Sequence, residues 1–557
     1  MGKLLFLFHL SFLLLFGGCA IDSWVPDGGW QVVGAEPSCQ TPALEAGFLA
    51  QNGDTRREFE FVRSFFKKCG AYLRRGHNED LLTFARDMYV EYQYTQIRAF
   101  QDLFIPNLDG ERIHAHLLIK PGQTPRPIVV VNCGLQCELG SPGMSLLAMQ
   151  LFDEGPFHVL LLPSNTAPEF QSTNGYITAG GFDEGRSLFL TAQYVKSPEF
   201  EYSQRVSTVH VLGVSLGGQA ALFASLFNSK NLKEDGSRSI QSFIAGCPVV
   251  DLEKSVRGLY RPSLIGDQVA RKFKEQLNKI RAVLPIADGL LRLIESGGGL
   301  EIEKYPDLIA QSATDHYRER SLARGWGLKP FRELKLVSDR QFWNINRFQD
   351  FASEVLHSPI FIWSAMDDQV VNAEENAKLL RDSFANNPIS PIHTLLTLHG
   401  NHCGFAGTYG WKTAGTLIRN TLIAQSPELL AQRREYSKPL EWLSYPEEAS
   451  NLTGQRSRVA LQWRAHPGLS RIDLVQQIRY YCNPRGKGVV NHWCLQDTLS
   501  TVSASLFEIG LESIPRNESE AQALTRWLNT HISVTRAYNQ PLGEKDQPQE
   551  VHWSTYD

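Results

Sequence analysis

One short stretch, Gly213-Val-Ser215-Leu-Gly217, has the residue types of a serine nucleophile on a tight turn. The apolar residues 209–212 before it predict a buried strand, and the small and apolar residues 219–227 after it predict a helix. The chain must reverse sharply between the two, and the glycines omit Cβ atoms that would clash there. This turn would expose the Ser215 hydroxyl beside the free N–H groups of a helix N-terminus. The predicted chemistry is nucleophilic attack by Ser215.

A serine hydroxyl is a poor nucleophile unless a base takes its proton, and the base needs a partner that fixes its tautomer. Two carboxylates, Asp367 and Asp368, follow one predicted strand, and two imidazoles, His399 and His402, lie in a glycine-containing loop after the next. The sequence therefore offers a nucleophile, an acid and a base in that order along the chain.

Alternating strands and helices between about residues 100 and 425 must position these groups. An Asp109-Gly110 turn signal predicts a β-hairpin from residues 100–105 and 112–119. Asp183 is a candidate N-terminal cap for the predicted helix that runs to residue 195. Continuous apolar runs predict six further strands, at residues 128–132, 159–162, 209–212, 242–245, 358–363 and 392–398. This alternation predicts an α/β fold with a mostly parallel sheet and helices on both faces.

Strands, helices and the serine turn together resemble the α/β-hydrolase superfamily, whose triad follows the order serine, acid, histidine. Ile360-Phe-Ile-Trp-Ser-Ala-Met-Asp-Asp-Gln-Val-Val371 is similar to the family's acid loop, and alignment on the two valines makes Asp368 the acid, with Asp367 as the alternative. Gly400-Asn-His402-Cys-Gly-Phe405 is similar to the family's histidine loop, so the resemblance implies His402 as the base.

The same resemblance implies an oxyanion hole made of two backbone N–H groups. One is the N–H of Leu216, directly after the nucleophile; the other is that of Leu135, in the loop after the strand at 128–132. Cys133 stands where the family usually has histidine, and Gly134 could instead be only a turn residue.

The resemblance covers residues 100–425 and is interrupted by residues 251–353, where helical amphipathicity without a clear strand predicts a helical insertion. The resemblance implies that this insertion is a cap over the site, and a structural insertion without a lid role is the alternative. Residues 20 to about 50 show little periodicity and read as a tether or irregular lead-in, before N-terminal helices. Alternating patterns near 458–463 and 502–508 predict a β-rich C-terminal region. The expected segments are a signal peptide at 1–18, the tether and N-terminal helical region at 19–99, the hydrolase domain at 100–425 and the β-rich region at 426–557.

The N-terminus has a short basic start, an apolar run over residues 4–16 and small residues before Cys19, which predicts a secretory signal peptide. Phe16-Gly-Gly-Cys19 resembles a bacterial lipobox, with Phe where leucine is usual. That resemblance implies lipidation of Cys19 and anchoring in a bacterial envelope, the outer membrane being favoured; an ordinary signal peptide and a periplasmic or secreted protein are the alternative.

Removal of Cys19 leaves eight of the nine cysteines, an even number that permits disulfides in an exported chain. Their pairing does not follow from sequence, and Cys482 with Cys494 is the candidate pair. His399 and His402 have a metal-like spacing, but no third ligand is evident, so no metal is predicted. The glycine order at 213–218 lacks a dinucleotide fingerprint, so no cofactor is predicted.

The chain has 557 residues, a net charge of -4 and 42% hydrophobic residues, which is typical of a globular protein and indicates no nucleic-acid partner. The leading hypothesis is a serine hydrolase acting on a small-molecule or lipid ester. A peptidase or amidase with the same triad is the alternative, as is a non-catalytic envelope lipoprotein with a hydrolase fold. The oligomeric state stays open.

Overall fold

The computed structural model describes residues 37–39, 41–73, 100–106, 111–120, 123–153, 155–233, 235–262, 264–295, 301–323, 327–335, 338–355, 357–384, 390–403, 408–409, 411–430, 457–458, 533–536 and 553–554. The signal peptide, Cys19, Cys482, Cys494 and the alternating stretch at 502–508 lie outside these residues. Among the helices within them, none has the length and apolar character needed to cross a bilayer.

Eight strands form the central sheet, in the order β1-β2-β4-β3-β5-β6-β7-β8. In chain order they are β1 (Phe100–Pro106), β2 (Arg112–Leu118), β3 (Arg126–Asn132), β4 (His158–Leu162), β5 (Val206–Val214), β6 (Ser242–Gly246), β7 (Ile360–Ala365) and β8 (Ile392–Thr397). β2 pairs antiparallel with β1 and β4, whereas β4, β3, β5, β6, β7 and β8 run parallel. The predicted hairpin and all six predicted apolar strands are therefore present.

Helices cover both faces of this sheet, as the fully buried strand β3 shows. Its residues alternate between two cores, because successive side chains on a strand point to opposite faces. Ile128 and Val130 belong to the same buried cluster as Phe223 of the helix after β5, whereas Val129 and Val131 belong to the same cluster as Phe48 near the N-terminus. The predicted fold class, a mostly parallel α/β sheet between helical layers, is confirmed.

Fourteen α-helices are described. They are α1 (Thr41–Gln51), α2 (Thr55–Leu73), α3 (Pro142–Ala148), α4 (Pro168–Asn174), α5 (Phe182–Tyr194), α6 (Leu216–Lys230), α7 (Leu252–Leu259), α8 (Leu264–Ile280), α9 (Pro285–Glu295), α10 (Tyr305–Ala323), α11 (Asp339–Ile345), α12 (Ala377–Phe384), α13 (Trp411–Ala424) and α14 (Pro427–Leu430).

The helical insertion between β6 and β7 comprises α7 to α11 and has a core of its own. Four apolar residues of α8 recur at helical spacing and are buried in it: Val269, Phe273, Leu277 and Ile280. The expected helical insertion is therefore present. In the C-terminal region, the described residues form three short antiparallel strands, β9 (Ser457–Arg458), β10 (Ser533–Arg536) and β11 (Trp553–Ser554).

Two local predictions were wrong. Residues 41–51 are not an irregular lead-in but helix α1, because Leu44 and Phe48 are buried in one hydrophobic cluster with residues of helix α2 and of the sheet. Asp183 does not cap α5: the helix begins one residue earlier, and Gly181 occupies the capping position without a side-chain hydrogen bond. Asp183 instead lies fully buried in the first turn.

Candidate active site

Ser215 lies between β5 and α6 with φ 58° and ψ -119°, in a region that a non-glycine residue rarely adopts. The glycines at positions 213 and 217 are required because backbone carbonyl oxygens lie where their Cβ atoms would be. A Cβ at Gly213 would lie 1.9 Å from the Gly217 carbonyl oxygen, and a Cβ at Gly217 would lie 2.5 Å from the Cys133 carbonyl oxygen. The strained turn is thus the predicted one, and it is packed directly against the loop after β3.

Three backbone hydrogen bonds hold the strained residue. The Ser215 N–H donates to the Gly246 carbonyl at 2.8 Å, and the Ser215 carbonyl accepts from Gln219 and Val249 N–H groups at 3.2 and 3.4 Å. Strain of this kind persists only where the surroundings over-determine the conformation. The end of β6 is therefore part of what fixes the serine.

The structure brings Ser215, His402 and Asp368 into one hydrogen-bonded line. Ser215 Oγ lies 2.8 Å from His402 Nε2, and His402 Nδ1 lies 3.0 Å from Asp368 Oδ2. The Asp368 side chain is fully buried, whereas 18% of the His402 side chain is exposed. Asp368 Oδ1 accepts the Val370 and Val371 N–H groups at 2.9 and 2.7 Å, so the loop backbone fixes the carboxylate.

The neighbouring aspartate makes a second, more exposed pair. Asp367 Oδ2 lies 3.3 Å from His399 Nδ1, and Asp367 Oδ1 accepts the Asn401 N–H at 2.8 Å. The side chains of Asp367 and His399 are 34% and 43% exposed. Of the two carboxylates that the sequence left open, Asp368 is therefore the one in contact with His402, and Asp367 braces the loop that carries it.

The loop after β3 lies against the serine as the oxyanion prediction requires. A Cβ at Gly134 would come within 2.9 Å of Ser215 Cβ and 3.3 Å of its Oγ. The N–H groups of Gln136 and Cys137 donate to Thr166 Oγ1 and the Gly134 carbonyl. The Gln136 and Cys137 N–H groups are therefore already used within the loop, and the Leu135 N–H keeps its place as the predicted loop donor. The second predicted donor, Leu216, has no intrahelical acceptor because it is the first residue of α6.

Disulfides close both loops that flank the serine. Cys133–Cys137 spans the loop of Gly134, and Cys247–Cys403 joins the end of β6 to the residue after His402. Cys39–Cys69 forms a third, joining the segment before α1 to α2. Sequence reasoning missed all three pairings, although the position of Cys403 beside His402 was a usable signal. Cys247, His402 and Cys403 lie close enough to suggest a metal site, but the two sulfur atoms are bonded to each other and offer no thiolate.

A fully buried carboxylic acid, Glu184 of α5, lies behind the serine turn. Its Oε1 accepts the Asn165 N–H at 2.7 Å, and a Cβ at Gly180 would come within 2.7 Å of its Oε2 and 2.8 Å of Leu216 Cδ2. Burial raises the pKa of Glu184 to about 7, against the opposing effect of the Asn165 N–H. No sequence pattern points to this residue, because its burial depends on the packing of α5 against the sheet.

The cap contacts the oxyanion loop through one buried side chain, Gln276 of α8. Its Oε1 accepts from Gln136 Nε2 at 2.5 Å, and its Nε2 donates to the Thr166 carbonyl and, at 2.8 Å, to Gln171 Oε1. The cap helix and the loop of the candidate oxyanion donor are therefore one hydrogen-bonded unit.

No protein-family model matches the chain, and no curated protein matches it by sequence. Among solved structures, it is similar to a Pyrococcus furiosus esterase, Pf2001 (14% identity, 58% of this chain and 91% of that one, TM-score 0.34), and to a hyperthermophilic Pyrobaculum calidifontis esterase (14% identity, 70% and 98%, TM-score 0.36). It is also similar to a Pyrococcus horikoshii acylaminoacyl peptidase, of which it spans 41% (9% identity, 58% of this chain, TM-score 0.33). Because these TM-scores are all below 0.5, any proposed chemistry must rest on the geometry around Ser215.

Proposed function

We propose that the protein is a serine hydrolase that cleaves a carboxylic ester through an acyl-enzyme intermediate. The observation that carries the proposal is the line from Ser215 Oγ to His402 Nε2 (2.8 Å) and from His402 Nδ1 to Asp368 Oδ2 (3.0 Å). A nucleophile in reach of its base, and a base in reach of its orienting acid, is the arrangement that serine acyl transfer requires. The strained backbone of Ser215 supports the same proposal, because such strain concentrates at functional sites.

In the first half-reaction, Ser215 Oγ attacks the ester carbonyl carbon while His402 Nε2 takes the hydroxyl proton. Asp368 accepts the hydrogen bond from His402 Nδ1–H, which fixes the tautomer and stabilises the imidazolium. The Leu216 and Leu135 N–H groups hold the oxyanion. The C–O bond to the leaving group then breaks, and His402 Nε2–H protonates the departing alkoxide oxygen.

In the second half-reaction, water replaces the alcohol. His402 takes a proton from the water as it attacks the acyl carbon, and the proton then passes to Ser215 Oγ as the acyl-serine bond breaks. The products are a carboxylic acid and the free enzyme.

The test pairs esters with amides of the same acyl groups. Purified full-length protein is assayed with p-nitrophenyl esters of acetate, butyrate and octanoate and with the matching p-nitroanilides. Ser215→Ala should abolish ester turnover, whereas Ser229→Ala, on the same helix but at its far end, should leave it unchanged. Turnover of the anilides in preference to the esters would replace the ester proposal by an amidase, and ester turnover by Ser215→Ala would exclude Ser215 as the nucleophile.

Export and lipidation of Cys19 belong to the same proposal, as does a substrate drawn from lipid esters near the membrane. The disulfide Cys39–Cys69 supports export, since structural disulfides persist in oxidising compartments. When the protein is expressed in a bacterium fed a clickable fatty acid, it should carry the label and should be recovered in the membrane fraction. Cys19→Ser should remove both effects, and an unlabelled wild type would exclude the anchor.

A further inference from the structure

The outer face of the β1–β2 hairpin carries two histidines and one aspartate in register. His114 and His116 are two residues apart on β2, so their side chains point to the same face. Asp102 on β1 lies directly opposite His116. The hairpin backbone alone therefore brings two imidazoles and one carboxylate together, independently of the site at Ser215.

Their potential ligand atoms converge. One carboxylate oxygen of Asp102 and one ring nitrogen each of His114 and His116 all lie within 4.8 Å of one another. The two imidazole rings are perpendicular, with centroids 5.4 Å apart. Side-chain exposure is 18% for His114 and 59% for Asp102, so the cluster is buried on the His114 side and open to solvent on the Asp102 side.

A fourth residue, Glu169, contacts the ring nitrogen of His114 that does not face Asp102. His114 Nε2 contacts Asp102, and its Nδ1 contacts Glu169 of α4. A carboxylate on the second ring nitrogen fixes the tautomer and orientation of a metal-bound histidine and raises its basicity. Glu169 therefore stands where the outer partner of a metal ligand would stand.

We propose that Asp102, His114 and His116 bind one divalent transition-metal ion of the zinc class, with Glu169 as the outer partner of His114. Two imidazoles and one carboxylate suit such an ion, and the exposed side leaves a position for water. The ion is structural: it joins β1 to β2, because its three ligands lie on those two strands. Glu169 ties the ligand His114 to α4, which also holds the hairpin through two hydrogen bonds between the Asn174 side chain and the Arg112 backbone, at 2.9 and 3.0 Å. β2 is three strand spacings from β5, roughly 14 Å, so the ion takes no part in the chemistry at Ser215.

The competing interpretation is a protonated His114 bridging two carboxylates without a metal. It uses Asp102 and Glu169, and it leaves His116 only the ring contacts that it makes with Phe100 and His114. The variant His116→Gln separates the two, because it removes one metal ligand and leaves the His114 contacts with both carboxylates in place.

The experiment uses tag-free full-length protein stripped with EDTA and titrated with ZnCl₂ in a calorimeter. We expect one equivalent of Zn²⁺ to bind with a Kd at or below about 10 μM. His116→Gln and His114→Gln should each weaken binding at least about tenfold, and Glu169→Gln by about 10- to 100-fold. The matched control is His357→Asn, at an exposed histidine outside the cluster whose positive φ asparagine tolerates.

Thermal unfolding supplies the second readout. Zn²⁺ should raise the Tm of the wild type and of His357→Asn but not that of His116→Gln. Absence of saturable Zn²⁺ binding by folded wild type would overturn the proposal. Equal Zn²⁺ affinity in wild type and His116→Gln would overturn it as well and leave the bridging ion pair as the interpretation.

Discussion

Two adjacent aspartates, Asp367 and Asp368, each contact a histidine of the same loop, yet the two pairs differ in burial and in what the histidine contacts next. Asp368 is fully buried, fixed by two backbone N–H groups, and its partner His402 continues to Ser215. Asp367 and His399 are about one-third or more exposed, and Asp367 accepts a hydrogen bond from the loop backbone. Sequence spacing alone does not distinguish the two pairs. They are distinguished by the burial of the aspartate and by the second hydrogen bond of the histidine, which in His402 is made to Ser215.

The difference predicts separate roles. A buried, pre-fixed carboxylate needs no reorganisation when positive charge develops on its histidine, as a triad acid requires. An exposed ion pair is screened by water and contributes little energy of its own. We therefore expect Asp368 to act on the chemistry and Asp367 to act on the shape of the loop.

The largest predicted effect separates the two aspartates directly. Asp368→Asn should lower kcat by about 10⁴-fold, because an amide stabilises the wrong histidine tautomer. Asp367→Asn keeps an oxygen for the Asn401 N–H and should stay within about threefold of wild type. Steady-state kinetics on the best ester measures both, and the reverse ranking would assign the acid to Asp367.

A third carboxylate, Glu184, extends the comparison to a buried acid that does not pair with a histidine. Its folded pKa of about 7 lies above the unfolded value of 4.5, so folding favours the protonated form. The stability that Glu184 contributes should therefore fall as the pH rises from about 4.5 to about 7 and change little above that.

Glu184→Gln removes this titration. Between pH 4.5 and pH 8, the unfolding free energy of the variant should rise relative to wild type by roughly 3 kcal/mol. Urea denaturation of both proteins at the two pH values measures the difference, in which other titrating groups cancel. A difference independent of pH would show that folding does not raise the pKa of Glu184.

Removal of the disulfide beside His402 tests how far the loop itself must be fixed. Cys247 and Cys403 join the end of β6 to the histidine loop, so Cys247→Ser with Cys403→Ser should loosen the base. We expect kcat/KM to fall by about 10- to 100-fold, since small misplacements of a catalytic group are costly. The Cys39→Ser, Cys69→Ser protein is the matched control, because that disulfide lies outside the site.

The smallest effect is predicted for the exposed histidine. His399→Asn should change kcat/KM by no more than about threefold, because the His399 contacts with Thr397 and Tyr409 are made through its backbone carbonyl and survive the substitution. A loss as large as that of His402→Ala would contradict the division of roles.

Much of this architecture could be predicted because its signals are local. The strand runs, the hairpin and the turn at Ser215 follow from neighbouring residues, and parallel strands then carry residues 215, 368 and 402 to one edge of the sheet. What sequence missed depends on distant partners. Helix α1 depends on burial in a cluster shared with α2 and the sheet, and the three disulfides depend on how the folded chain brings each pair of cysteines together. The contacts of Gln276 and Glu184 depend on packing of the cap and of α5.

The most direct test of the central claim is covalent labelling with a small fluorophosphonate, followed by mass spectrometry of the labelled peptide. Such a probe reports an activated serine with an oxyanion hole and needs little substrate specificity. We predict that wild-type protein is labelled on Ser215 and that folded Ser215→Ala and His402→Ala proteins are not. Absence of labelling in folded wild type, or a label on another residue, would contradict the account.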